Sequence, residues 1–170
     1  MSRILCSLIS LVMALSGSTV LEKTHTDPNH SFQIRYPAGW KVIPAASSSE
    51  LIRADLISPD QKNGIQIRLY PDRGLPLEDF SRWYVRQFIR DMQCPGIMDQ
   101  RVYRRGNRKT AEISFDGRQR NGYFLKSYLL PRGNQVAVLQ AGTPFARRHR
   151  VEPLLDAIAR SFQWLPAPDL

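Results

Sequence analysis

Two histidines and a carboxylate, His25, Asp27 and His30, stand within six residues near the start of the chain. Imidazole and carboxylate are ordinary zinc and copper ligands, so this trio is the candidate for metal binding and for metal-dependent hydrolysis. A metal site needs a ligand on a rigid element, and these three fall in a polar stretch ahead of the first strand-like segment. The preferred reading is therefore a flexible leader with no metal and no other cofactor. His149 is the third and last histidine, and no Gly-x-Ser-x-Gly, His-Glu-x-x-His, Walker or dinucleotide-binding pattern surrounds it or occurs elsewhere. No catalytic residue is assigned, and the chain is expected not to be an enzyme.

Cations supply the other chemistry. Arg147, Arg148 and Arg150 flank His149 just after Thr143-Pro144, and a helix starting there would add N–H donors that favour an anion. Arg82, Arg86 and Arg90 recur every four residues, which places them on one row of a helix, with Glu78 and Asp79 spaced to pair with Arg82 and Arg86. These six arginines are the expected partner-binding residues, the first trio ahead of the second. Twenty-four Lys and Arg against fifteen Asp and Glu give a net charge of +9, a surface drawn to anionic partners. The basic and aromatic residues do not interleave as in RNA-binding modules, so nucleic acid is not an expected partner. Tyr36 and Trp40 stand on alternating strand positions, where they either line a ligand pocket or pack into the core.

Residues 1–18 have the layout of a secretory signal peptide: Arg3, an apolar run from Ile4 to Leu15, then Ser16, Gly17 and Ser18. The run is shorter than the roughly 20 residues of a spanning helix, so no integral membrane span is expected after cleavage. Cys6 and one unit of positive charge leave with that segment. Cys94 then stands alone in Cys94-Pro95-Gly96, which excludes an intramolecular disulfide. Residues 19–30 read as the flexible leader, 31–165 as one domain and 166–170 as a tail. With 42% hydrophobic, 9% aromatic and 23% charged residues, disorder and coiled-coil architectures are excluded.

Periodicity supplies the elements. Phe32, Ile34 and Tyr36 alternate with polar residues, and after Pro37-Ala38-Gly39 the alternation resumes at Trp40 and Val42, predicting a hairpin. A second hairpin is predicted from Ile52–Leu56 and Ile65–Leu69 around Asn63-Gly64. Leu77, Phe80, Tyr84, Phe88 and Met92 fall at helical spacing behind Pro76. Strands around Val102-Tyr103, Ala111–Phe115, Tyr123–Leu130 and Val136–Ala141 follow, and Val151, Leu154, Leu155, Ile158 and Phe162 mark one face of a closing helix with Pro153 in its first turn. Hairpins, helix, hairpins and helix in this order make an antiparallel α+β domain.

The opening Phe32-Gln-Ile-Arg-Tyr-Pro-Ala-Gly-Trp40 and the closing Ala159-Arg-Ser161-Phe162, with this element order between them, resemble the PsbP-like and DcrB-like superfamily. The resemblance spans Ser31 to about Trp164. It implies a three-layer α/β/α sandwich around an antiparallel sheet, and members that are non-enzymatic binding or assembly proteins, among them extrinsic photosystem subunits and bacterial envelope lipoproteins. The sequence departs from the lipoprotein members in lacking a cysteine at the cleavage site. The expected function is a non-catalytic exported module, periplasmic or secreted, that engages an anionic envelope component or a protein partner. The alternative is a metal-dependent hydrolase or metal-binding protein that uses His25, Asp27 and His30.

Overall fold

Alternating burial decides which way each strand faces, and the long central strands have apolar side chains on both faces. The structure, a computed structural model, describes residues 20–46, 51–92, 96–118 and 122–166. The strands are β1 (Lys23–Thr26), β2 (Phe32–Tyr36), β3 (Lys41–Pro44), β4 (Ile52–Ile57), β5 (Gly64–Pro71), β6 (Ile97–Arg105), β7 (Arg108–Gly117), β8 (Tyr123–Arg132), β9 (Gln135–Pro144) and β10 (Gln163–Trp164). Helix α1 (Leu77–Met92) lies between β5 and β6, and α2 (Arg148–Arg160) between β9 and β10. Seven strands form one antiparallel sheet in the order β3-β4-β5-β9-β8-β7-β6, and β1-β2-β10 form a small second sheet.

The large sheet is the middle layer. Val136 and Val138 of β9 join Ala111, Ile113 and Phe115 of β7 beneath Leu77, Phe80, Tyr84 and Phe88 of α1. Their neighbours Ala137, Leu139 and Ala141 point the other way, to Leu155, Ile158 and Ala159 of α2 and to Phe32 and Ile34 of β2. A strand buried on both faces needs this unbroken apolar run, because successive side chains point to opposite sides. The result is the α+β arrangement that the element order implies, layered as the sandwich that the resemblance implies.

Three expectations need correction. Strands β2 and β3 do not form a hairpin: β2 lies in the small sheet between β1 and β10, and β3 pairs with β4 at the edge of the large one. Gly39, at φ 85°, turns the chain from one sheet to the other, and Phe32 stacks on Phe162 at 5.1 Å between ring centroids, which holds β2 over α2. Residues 23–30 are not a flexible leader. Strand β1 runs along β2 from Lys23 opposite Tyr36 to Thr26 opposite Gln33, and Asp27 is only 2% exposed. Its carboxylate accepts from the backbone N–H groups of Asn29 (3.2 Å) and Ser31 (3.3 Å) and faces Arg53 Nε at 3.9 Å. Pro153 lies inside α2 and not in its first turn, because a 3₁₀ turn at Phe145–Arg147 leads directly into a helix that begins at Arg148. Without an N–H at residue 153, the His149 carbonyl lacks its usual helical donor.

Candidate functional site

The fold splits the basic cluster at the start of α2. Arg147 reaches across to Asp60 in the β4–β5 loop. The Asp60 carboxyl is held well below the usual carboxylate range by the Ser58 hydroxyl first, then by Arg147 and the Lys62 N–H. Arg148 donates through Nε to Glu152 at 3.1 Å and lies over the Phe124 ring at 4.4 Å. Arg150 is exposed and makes no ion pair among the described residues. The α1 row divides in the same way. Arg82 pairs with Asp79, and Arg90 bonds Gln87 and lies 3.5 Å from Asp91. Glu78 turns instead to Lys109, at 2.9 Å. Arg86 is left exposed, with no ion pair among the described residues.

Tyr36 and Trp40 both pack in the apolar layer between the small sheet, α2 and the large sheet, Trp40 buried and Tyr36 partly so. The His25, Asp27 and His30 side chains have separate surroundings. His30 is exposed at φ 52°, while the Asp27 carboxylate is taken up by two backbone donors and Arg53. The His25 ring meets Phe32 edge-on at 6.2 Å, and its Nε2 is buried without a partner. Burial holds its pKa below the ordinary histidine value and outweighs the opposing pull of Asp27. No group of three or more His, Cys, Asp or Glu is placed to hold a metal ion among the described residues. Residues 1–18 and Cys94 lie outside the described residues.

A charged centre that sequence reasoning missed lies under α2. The Lys126 side chain, 6% exposed, emerges from β8 among three carboxylates: Asp156 at 2.8 Å, Glu112 at 3.4 Å and Glu152 at 3.4 Å. Tyr128 donates its hydroxyl to Asp156, and Tyr103 donates to Glu112. Arg148 and Arg160 flank the outer sides of Glu152 and Asp156, so three cations balance three anions. Burial pulls the Lys126 pKa down, but Asp156, Glu112 and Glu152 outweigh it and leave it above the ordinary lysine value. The amine therefore stays an ammonium, which cannot act as a nucleophile or a base. Burial first, and then Asp156, push the Tyr128 hydroxyl far up, so it remains a phenol that donates. One signal was readable in advance: Lys126, with Ser127 beside it, interrupts the apolar residues of a central strand, and a lysine is almost never buried unless paired.

The opposite face carries two adjoining cavities of about 450 and 500 Å³ beside α1, which share Arg68, Met92 and Gln140 in their walls. They exist because α1 packs on the β7–β9 half of the sheet and leaves the β4–β5 half open on that side.

No protein-family model and no curated protein sequence matches the chain. Solved structures do. Cyanobacterial PsbP (CyanoP) of Synechocystis sp. PCC 6803 superposes with a TM-score of 0.65 at 11% identity, over 87% of this chain and 95% of that one. LpqN of Mycobacterium tuberculosis, described as involved in cell envelope biogenesis, gives 0.55 at 13% identity over 84% and 88%. A Pseudomonas aeruginosa protein of unknown function gives 0.50 at 16% identity over 81% and 92%. The chain therefore has the PsbP-like fold.

Proposed function

We propose that this PsbP-like chain is a non-catalytic exported binding or assembly module, and that it engages an anionic component of the cell envelope through arginine side chains. The observation that carries the reading is the neutral centre around Lys126. It draws Glu112, Glu152 and Asp156 inward against Lys126, Arg148 and Arg160, three anions against three cations, so the net charge, +9 for the full chain and 9 − 1 = +8 once Arg3 leaves with residues 1–18, is carried by the other residues. Arg86 and Arg150 lead these, with Arg147, Arg82 and Arg90 beside them. Arg148 serves the buried centre as well as the surface. The layout of residues 1–18 supports export, and the described residues contain no helix long and apolar enough to cross a membrane. The likeness to LpqN supports an envelope setting. A charged lysine at the best-formed polar centre offers no nucleophile, which supports a non-catalytic role.

The test is co-sedimentation with phosphatidylcholine vesicles containing or lacking phosphatidylglycerol, alongside capture of partners from envelope extract. Wild type should follow the anionic vesicles at low salt and be released as the screening length shrinks to about 8 Å and below. Reversing Arg86 and Arg150 to Glu should weaken capture several-fold without lowering the urea midpoint, because neither residue has an ion pair to lose among the described residues. Capture indifferent to salt and to both reversals would overturn the reading.

A further inference from the structure

The open half of the sheet beside α1 joins three features that together point to a ligand. The first is a half-buried guanidinium that no carboxylate neutralises. Arg68 donates through Nε to Gln66 Oε1 at 2.6 Å and through Nη1 to the Tyr70 hydroxyl at 3.4 Å, both neutral acceptors, and it makes no ion pair among the described residues. The nearest acid in that chain of bonds, Asp55, is one residue removed and accepts from Gln66 Nε2 at 2.9 Å. The second is an orphan. Gln140 Oε1 is buried without a hydrogen-bond partner, and Gln140 stands directly across the β5–β9 pairing from Gln66, next to Arg68. A buried acceptor left unpaired costs about 1–3 kcal/mol, so such atoms call for an explanation. The third is an aromatic wall. Tyr70 meets Trp83 at 6.0 Å and Tyr84 at 6.3 Å, and Arg73 lies over the Trp83 ring at 4.9 Å. The cavity of about 500 Å³ that these residues enclose is in the size range of small-molecule sites.

We propose that this groove binds an anionic amphiphile that has a hydroxyl close to its acidic group. The acidic group meets Arg68, with Arg73 at the mouth. The hydroxyl donates to Gln140 Oε1, which is shielded as it stands and is brought to the cavity by a turn of the amide that Gln140 contributes to its wall, and the apolar chain lies along Tyr70, Trp83 and Phe88. A plain carboxylate has no proton to offer Gln140, and a neutral glycoside has no charge for Arg68, so the pair of polar groups selects for both features at once. The inference rests on the groove floor and not on the arginine rows, so failure of vesicle capture would leave it standing.

Isothermal titration below the micelle concentration tests it with 3-hydroxydodecanoate, dodecanoate, 3-hydroxybutanoate and dodecyl maltoside. Wild type should bind 3-hydroxydodecanoate at least tenfold more tightly than the other three. Arg68→Gln should weaken it tenfold or more. Gln140→Leu should erase the preference for the hydroxylated chain while retaining dodecanoate binding. Arg73→Gln alters an exposed side chain, so it tests the charge requirement even if Arg68→Gln fails to fold; it should weaken both anions several-fold. Ligand should change tryptophan emission in the wild type and not in Trp83→Phe. Equal affinity for dodecyl maltoside, unchanged affinity in Arg73→Gln, or no heat with any probe would overturn the proposal.

Discussion

Replacing Lys126 with Met keeps a stem of similar length and removes the charge that three carboxylates share. At an effective dielectric of about 20, the 2.8 Å contact to Asp156 alone is worth ~6 kcal/mol before desolvation. Taking the ions out of water offsets most of that, and removing one partner of a buried group typically costs about 3–5 kcal/mol because the others are left uncompensated. Arg148 and Arg160 still flank Glu152 and Asp156, which places the expected loss near the lower end, about 3 kcal/mol. In a domain of this size the melting temperature should then fall by roughly 6–12 °C. Urea titration at pH 7 should show a lower midpoint with an unchanged slope. The sign of the pH dependence gives a second check. Carboxylates without their cation have raised pKa values in the folded state, so protonation favours folding and the deficit of the variant should shrink between pH 7 and pH 4.5. In the wild type the raised Lys126 pKa makes its contribution complete below the ordinary lysine value of about 10.4 and lost as pH climbs through the folded value. A deficit under 1 kcal/mol, or one equal at both pH values, would refute the assignment of Lys126 as the shared counter-ion.

Ile158→Ala should cost about 2–5 kcal/mol, because the side chain is fully buried between α2 and the sheet, whereas Arg160→Ala should cost under about 1 kcal/mol, because the Arg160 side chain is mostly exposed and its contact with Asp156 is long, at 3.8 Å; equal losses in denaturant would contradict the assigned face. His25 is held neutral by burial, so its contribution should be complete above the ordinary histidine value of about 6.5 and lost as pH falls through its lower folded value. Acid titration of His25→Phe should therefore show a flatter decline than the wild type, and parallel curves would rule that role out.

Much of this architecture was legible because burial and period agree. Leu77, Phe80, Tyr84 and Phe88 repeat at helical spacing and all four are buried, so α1 falls where the pattern puts it. The β4–β5 and β8–β9 hairpins are also present, since each joins alternating or apolar runs across a short polar turn. Strand β1 was not legible, because Lys-Thr-His-Thr has no apolar alternation; its conformation comes from pairing with β2. The charged centre escaped for another reason. Its cation is on β8 and its anions are on β7 and α2, up to 30 residues away, and no local spacing encodes that meeting. The same limit applied to the basic cluster at 147–150, where Arg147 finds Asp60 across a separation of 87 residues. The groove beside α1 depends on which half of the sheet the helix covers, a property of packing and not of period.

The small sheet ties the two ends of the domain together. Gln33 donates to Gln163, 130 residues away, at 2.8 Å, and Trp164 stands opposite Phe32. A chain that is synthesised from its N-terminus therefore presents β2 long before β10 exists. Until residues 162–164 arrive, Phe32 and Ile34 have neither the ring of Phe162 nor the edge of β10 to cover them. Closing so long a loop is also entropically unfavourable, which delays the step further. Assembly of this layer thus waits for residues 162–164, and a growing chain that has not yet presented them cannot lock into its final shape.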